Sequence, residues 1–484
     1  MKIQLENSTP HQFSPCEMRP ISIKFNFVRS ISKLIPATID QCKDPGAREK
    51  RSCSVSMAPI KNLLGASFLP PVHPPPPPSD DAPRRHPSWL LLDVQAYISD
   101  GHHANATTAQ AATRDGHPIR VTFCVALPPL VSHFCVHCPG LDPAAFALEP
   151  VIRAAEGPFT LLRVAICPMQ SGHIRSGSET ASPSPLLRLL PNPHPFYFSD
   201  HDVGLLPLPC AHEGGVGSCC AVVAATGTTS TCSTARRGNG APGPSVDPPL
   251  PPPYTSFGCI NKMITIGGEG GGSMGRVDLW RGILVCGDML RKNPLLGFIK
   301  LPTPMIRSSS SSDLDPQESL RNIIAIGGLI RFFEKKIRPR SFGQDGNAII
   351  SQGWTATTWS TSSTKADDSW QWHKDCTFDV SDIAIYNERH LELLPSLQED
   401  DNEEGTGQPT LKRLRTGVPA LSLEDDGFVY LMTKVDRWDH TAWILAVDTR
   451  KKALQGVAEF GAERTLGLDY TYLQSSISQY LDTD

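Results

Sequence analysis

No stretch of this chain approaches the roughly 18 consecutive apolar residues that a membrane-spanning helix requires, so a helical membrane protein is excluded at the outset. The first residues, Met1-Lys2-Ile3-Gln4-Leu5-Glu6, lack the basic flank and apolar run of a secretory signal. Charge is scarce, at 19% of residues, and nearly balanced, with a net of −4. No global field therefore points to nucleic acid or to an anionic membrane surface. The 14 cysteines follow no framework spacing between Cys16 and Cys376, which reads as reduced thiols in an intracellular protein, cytoplasmic or nuclear. Apolar residues make up 39%, below the roughly 45–50% of ordinary globular domains. The place of the missing apolar residues is taken by 45 prolines and 38 glycines, the composition of a folded core diluted by segments that do not pack.

What is present is a grammar of short hairpins. Ile323–Ile326 and Leu329–Phe333 flank Gly327-Gly328, and only residues that accept positive φ fit a two-residue turn matching the twist of both strands. Asp115-Gly116 stands between Thr107–Arg114 and Ile119–Val125 in the same way. Further strands are expected at Trp89–Asp93, Leu130–Val136, Val151–Ala154 and Phe159–Ile166. The pattern resumes at Met263–Ile266, Val277–Trp280, Ile283–Cys286, Phe428–Met432, Ala442–Asp448 and Ala453–Phe460. Short strands with a turn signal every dozen residues predict an all-β protein of antiparallel hairpins, arranged in a β-propeller-like array.

Four regions follow. Residues 1–86 are expected to be a disordered, Pro-rich leader, with Pro74–Pro78 as a polyproline spacer. Residues 87–209 form an N-terminal β region. Residues 210–256, with Cys219-Cys220, Thr228–Thr231 and a second proline run, interrupt the strand pattern. They read as a low-complexity, disordered insertion or as a misjoined piece of the gene. Residues 257–484 form a C-terminal β region with a core domain at about 277–415, and the acidic run Glu399–Glu404 within it is expected to be a solvated loop.

The block Val277–Cys286 resembles the signature of a plant family, much expanded in grasses, known as domain of unknown function 1618. The likeness continues through Gly353–Ser360, Trp372–Ile383, Tyr430–Asp436 and Trp443–Asp448, with Trp89–Asp93 and Phe134–Gly140 similar to the region preceding the core. It covers roughly residues 87–209 and 257–484, while 1–56 and 210–256 depart from the pattern. The resemblance implies a β-rich plant intracellular protein of unestablished activity and supplies no catalytic residues.

Each chemical motif has a plainer reading beside it. Gly270–Gly275 contains G-x-G-x-x-G, but a strand follows where a dinucleotide site needs a helix N-terminus, so a hairpin loop is expected. His133, Cys135, His137 and Cys138 carry zinc-type donors, with Cys124 and Cys167 the nearby thiols. In one continuing strand Cys138 faces away from Cys135 and His137, so core cysteines and strand-end histidines are expected instead. His373, Asp375 and Cys376 have the residue types of a nucleophile site, but alternation puts His373 and Cys376 on opposite faces. Trp354, Trp359, Trp370 and Trp372 read as core or inter-blade side chains. Lys412–Arg415 resembles a minimal nuclear import signal and Arg331–Arg340 is locally basic, and both are expected to be solvated edges.

The sequence therefore designates no catalytic, cofactor-binding or metal-binding residue and no cofactor. It favours a non-catalytic protein-interaction module, without membrane or nucleic-acid partners, like the kelch-type and F-box-associated domains of plants. Residues 1–86 show no F-box helical pattern, so a standalone recognition module is expected rather than a ligase adaptor. The alternative is a hydrolase-like or metal-dependent enzyme whose site lies in a central β channel.

Overall fold

The structure, a computed structural model, describes residues 21–26, 70–71, 87–166, 186–189, 200–212, 215–226, 231–234, 261–267, 272–287, 295–302, 320–339, 351–363, 370–395, 411–424, 427–436, 439, 441–461 and 472–481. They form strands almost throughout, as the alternation predicts. The Pro74–Pro78 spacer, the acidic run 399–404 and most of the expected leader lie outside these residues.

The N-terminal strands are β1 (Ile21–Asn26), β2 (Leu90–Asp93), β3 (Tyr97–Ile98), β4 (Ala109–Ala112), β5 (Pro118–Cys124), β6 (His133–His137), β7 (Phe146–Glu156), β8 (Phe159–Ile166) and β9 (Leu186–Leu189). One sheet has the order β3-β6-β5-β4 and a second β7-β8-β1-β9. Within the expected leader, then, Ile21–Asn26 is a strand, paired between β8 and β9. Strands also run through part of the segment that breaks the sequence pattern. Here β10 (Val203–His212), β11 (Gly215–Thr226) and β12 (Thr231–Thr234) form a three-stranded sheet, with Cys219 and Cys220 in β11.

The C-terminal region builds three further sheets. The first joins β13 (Lys262–Gly267), β14 (Ser273–Asp278), β15 (Gly282–Gly287) and β16 (Leu295–Lys300) in chain order. The second joins β17 (Arg321–Ile326), β18 (Leu329–Pro339), β19 (Ser351–Ser362) and β20 (His373–Asp379). The third contains β21 (Ala384–Ile385), β22 (Arg415–Leu421), β23 (Phe428–Lys434), β24 (Thr441–Asp448) and β25 (Ala453–Gly461), with α1 (Glu388–Leu393) following β21. Gly327 and Gly328 close the β17–β18 hairpin at φ of 56° and 77°, the doubly left-handed turn that their sequence demands.

Among the described residues the inner strands follow one another around a ring: β7, β10, β13, β17, β22, then β26 (Tyr472–Ser475), which returns to β7. This is the propeller-like arrangement expected from hairpin spacing. The ring is closed by pairing strands that lie far apart along the chain. β26 runs antiparallel to β2, with Leu90 opposite Ser475 and Asp93 opposite Tyr472. The two-stranded sheet so formed continues into the β3–β6 sheet, because Asp93 N donates to Ser132 O (2.8 Å) and Ser132 N donates to Leu91 O (2.8 Å). Closure turns the inner edges of the sheets towards one another around the ring instead of presenting them as an open sheet edge.

Apolar clusters fill the space between and within sheets. One gathers Phe123, Phe134, Val136, Ile152 and Leu162 around the N-terminal blades. Another packs Phe333, Trp354 and Phe378 against Leu431 and Val447. The four tryptophans behave as expected. Trp354 is buried edge-to-face on Phe378 at 5.8 Å. Trp372 meets Phe332 at 6.0 Å and its Nε1 donates to Lys300 O at 2.8 Å, tying one blade to the next. Trp359 and Trp370 pack beside them.

Candidate functional site

The inner strands surround a central cavity of about 210 Å³, to which Glu156, Leu205, Lys262, Asn322, Val418 and Gln474 each bring a residue from a different strand of the ring. Ligand pockets generally enclose about 300–1,000 Å³, so this space is small. Its polar side chains reach sideways, from one blade to the next. Lys262 Nζ donates to Asn322 Oδ1 at 2.6 Å, and Asn322 Nδ2 donates to Pro419 O. Thr265 Oγ1 donates to Leu205 O at 2.7 Å, and His201 Nδ1 donates to Asn261 O at 3.0 Å. A ring of separate sheets needs such ties because each inner strand leaves one edge without a ladder partner.

Arg321, which also lines the cavity, and Glu334 extend the pattern. They form a fully buried ion pair across β17 and β18; Arg321 also donates to Leu279 O at 2.7 Å and lies 3.8 Å from the centre of the Trp280 ring. Burial pushes the Arg321 guanidinium down from its ordinary value, and Glu334 offsets this. Lys335, next in sequence, is also buried and donates to Thr416 O (3.1 Å), Gly417 O (3.3 Å) and the Thr416 hydroxyl on β22. The expectation of a solvated basic edge at Arg331–Arg340 is thus corrected at its centre. Arg338 is bound as well, to Asp379 at 2.7 Å. In the Lys412–Arg415 run Lys412 is exposed and Arg413 and Arg415 are half-buried, while Leu411 and Leu414 anchor the run in the core.

Glu156 is the cavity's one strongly perturbed acid among the described residues. Protein surrounds its carboxyl although part of its surface faces the void. Burial pushes it up to about 7, while the Thr265 side chain pulls the other way. Such a value allows a carboxyl to hold or release a proton near neutrality.

The remaining motifs divide. Gly270 and Gly271 lie outside the described residues, and Ser273–Gly275 already belong to β14, so a strand and not a helix N-terminus stands where a dinucleotide site needs one. In β20 the register carries a correction. Trp359 pairs with Lys374 and Thr358 with Cys376, so Asp375 is an inserted residue, and the bulge returns His373 and Cys376 to one face. They still do not form a nucleophile site. The Cys376 thiol, which burial pushes up, donates to Thr449 O at 3.1 Å, while Asp375 accepts from the Ser360 hydroxyl at 2.7 Å.

On β5 and β6 the structure gathers a different set from the one read along a single strand. Cys124 lies opposite His133, and Thr122 opposite Cys135. Period-2 alternation therefore puts Cys124, His133 and Cys135 on one face, with Phe123 and Phe134 stacked at 4.6 Å on the other. One donor atom from each of the three lies within 4.8 Å of the others. Hydrogen bonding from Cys135 holds the Cys124 thiol well below its usual value; burial opposes this, and His133 adds to the lowering. His137 and Cys138 fall outside the group. His137 Nδ1 donates to Ser99 O at 2.9 Å, and Cys138 joins the apolar core, where burial pushes its thiol up to about 12.

Among the described residues, Tyr386 is the most exposed aromatic. It is 80% exposed, directly before α1, a helix capped by the Asn387 side chain and burying none of its residues; Leu393 at the far end is also exposed.

Residues 277–430 match the model of a family described as Protein of unknown function (DUF1618). The matched stretch runs from the end of β14 into β23, past the expected limit near residue 415. It contains the Arg321–Glu334 pair, Lys335, Trp354 and Tyr386. This part of the chain is thus similar to a domain of unknown function, as its tryptophan motifs suggested. No curated protein and no solved structure matches the chain.

Proposed function

We propose that this protein is a non-catalytic recognition module that binds a protein partner through its outer surface. The observation that carries the reading is Tyr386, a large aromatic displayed at 80% exposure on a capped turn beside a fully surface-lying helix. Tyrosine is enriched among the few residues that carry most of the binding energy of protein interfaces. The cavity supports the same view from the other side. Its volume is small, and Lys262, Asn322 and Thr265 are committed to neighbouring blades rather than converging on a ligand.

The test is photo-crosslinking in cells that naturally express the protein, with a crosslinking residue at position 386 and a control at the exposed position 102. A protein adduct specific to position 386, lost in competition with untagged wild type but not with Tyr386→Ala, is expected. Equal labelling from both positions contradicts the reading.

Glu156 favours a second reading, an enzyme with a proton-transferring carboxyl at the central cavity. A turnover abolished by Glu156→Gln and retained by Tyr386→Ala would select it over the first.

A further inference from the structure

The Cys124–His133–Cys135 group belongs neither to the central cavity nor to any of the inter-blade ties. Two thiols and an imidazole meet there from adjacent strands, on a face fixed by the β5–β6 register. His133 and Cys135 are each 2% exposed, whereas Cys124 is half-buried and gives the group one side towards solvent. Tyr97 packs edge-to-face against the imidazole at 5.2 Å and limits its rotation. Cys124 and Cys135 carry no disulfide.

We propose that Cys124, His133 and Cys135 bind a zinc ion. Thiolate and imidazole are the donors zinc takes in proteins, at about 2.3 and 2.0–2.1 Å, and soft sulfur donors disfavour magnesium and calcium. Those bond lengths imply donor separations of roughly 3.4–3.8 Å around a tetrahedron. The 4.8 Å envelope of the three donors is close to that geometry and closes by small side-chain rotations. Two thiolates balance the dication, so an occupied site is neutral, as its burial requires. Both cysteines bind as thiolates, so any thiol still protonated in the metal-free protein gives up its proton on binding. Water completes the tetrahedron on the Cys124 side. The ion cross-links β5 to β6 next to the strands that close the ring.

The full chain, stripped with a chelator and reloaded with zinc, tests this by metal content after exhaustive dialysis. One zinc per chain is expected in wild type and in Cys138→Ser, with at least a tenfold loss of affinity in Cys124→Ser and Cys135→Ser. Reloading with cobalt supplies an independent readout. Thiolate-to-cobalt charge-transfer bands and tetrahedral ligand-field bands are expected in wild type and lost in the same two variants. Circular dichroism monitors folding, and Cys124→Ser, at a half-exposed position, serves if Cys135→Ser does not fold. A folded wild type that retains no zinc overturns the proposal. So does zinc held equally by both serine variants, or a Cys124–Cys135 disulfide in protein purified under reducing conditions.

Discussion

The blades built from β13 to β25 and the N-terminal blade of β3 to β6 hold themselves together in different ways. In the C-terminal blades, charge is buried within a blade, as Arg321 with Glu334, and crosses to the next, as Arg321 with Leu279 O and Lys335 with Thr416 and Gly417. The N-terminal blade rests on an apolar cluster centred on Phe123 and Phe134, with the Cys124–His133–Cys135 group on its other face. The contrast separates two kinds of cohesion. Apolar contacts are individually replaceable, because each removes area from water independently. A buried ion pair couples its members, because removing one strands the other without a partner of opposite charge.

The sharpest way to break that comparison is a pair of double-mutant cycles. Glu334→Ala alone should destabilise the fold by about 3–5 kcal/mol, since it leaves Arg321 buried. The double variant Arg321→Met/Glu334→Leu should recover most of that loss in a denaturant melt. In the N-terminal blade, Phe123→Ala should cost about 3–5 kcal/mol, and adding Phe134→Ala should cost more, not less. Equal additivity in both regions would erase the distinction.

Next in size is the effect of pH through the cavity acid. The folded Glu156 value of about 7 lies above the roughly 4.3 of an unfolded glutamate. Its stabilising contribution is therefore fully present below about pH 4.3 and is lost as pH rises through about 7. Glu156→Gln should flatten this slope and be more stable than wild type above pH 7, by about 1–3 kcal/mol in thermal melts across pH.

Asp379 sharpens the contrast with the opposite sign and a smaller effect. Burial pushes its carboxyl up, but hydrogen bonds from Ser381, Arg338 and Thr355 outweigh this and leave it at about 2. Its contribution is present above the unfolded value of about 3.9 and is lost as pH falls through about 2. Asp379→Asn should remove at most about 2 kcal/mol at neutral pH and leave stability flatter between pH 4 and pH 2.

Local turn chemistry made most of the strands legible in the sequence. Gly327-Gly328 and Asp115-Gly116 mark hairpins that the structure contains, because few other residues fit those turns. What was not legible depends on register and on distance along the chain. The β26–β2 pair joins residues more than 370 positions apart, and nothing local specifies it. A bulge at Asp375 reverses the face of His373 relative to Cys376, against simple alternation. Lys335 reads as a surface cation only while β18 is taken as an edge; with β17 and β19 on either side and β22 across the interface, it is buried. Alternation along β6 keeps His133 and Cys135 on one face, but only the β5–β6 register adds Cys124 to them. The pairing of Cys124 with His133 across the β5–β6 hairpin is the signal that assembles the metal-type group.

Ring closure is the feature on which the remaining account depends, and a cross-link reads it directly. Leu91 and Gln474 are opposite one another across β2 and β26, within reach of a disulfide if both become cysteine. Mild oxidation of Leu91→Cys/Gln474→Cys should join the two peptides in a single chain, as seen by mass spectrometry, and raise the melting temperature. If the pair stays reduced while the protein remains folded, or if the bond forms only between chains, the closed ring is contradicted.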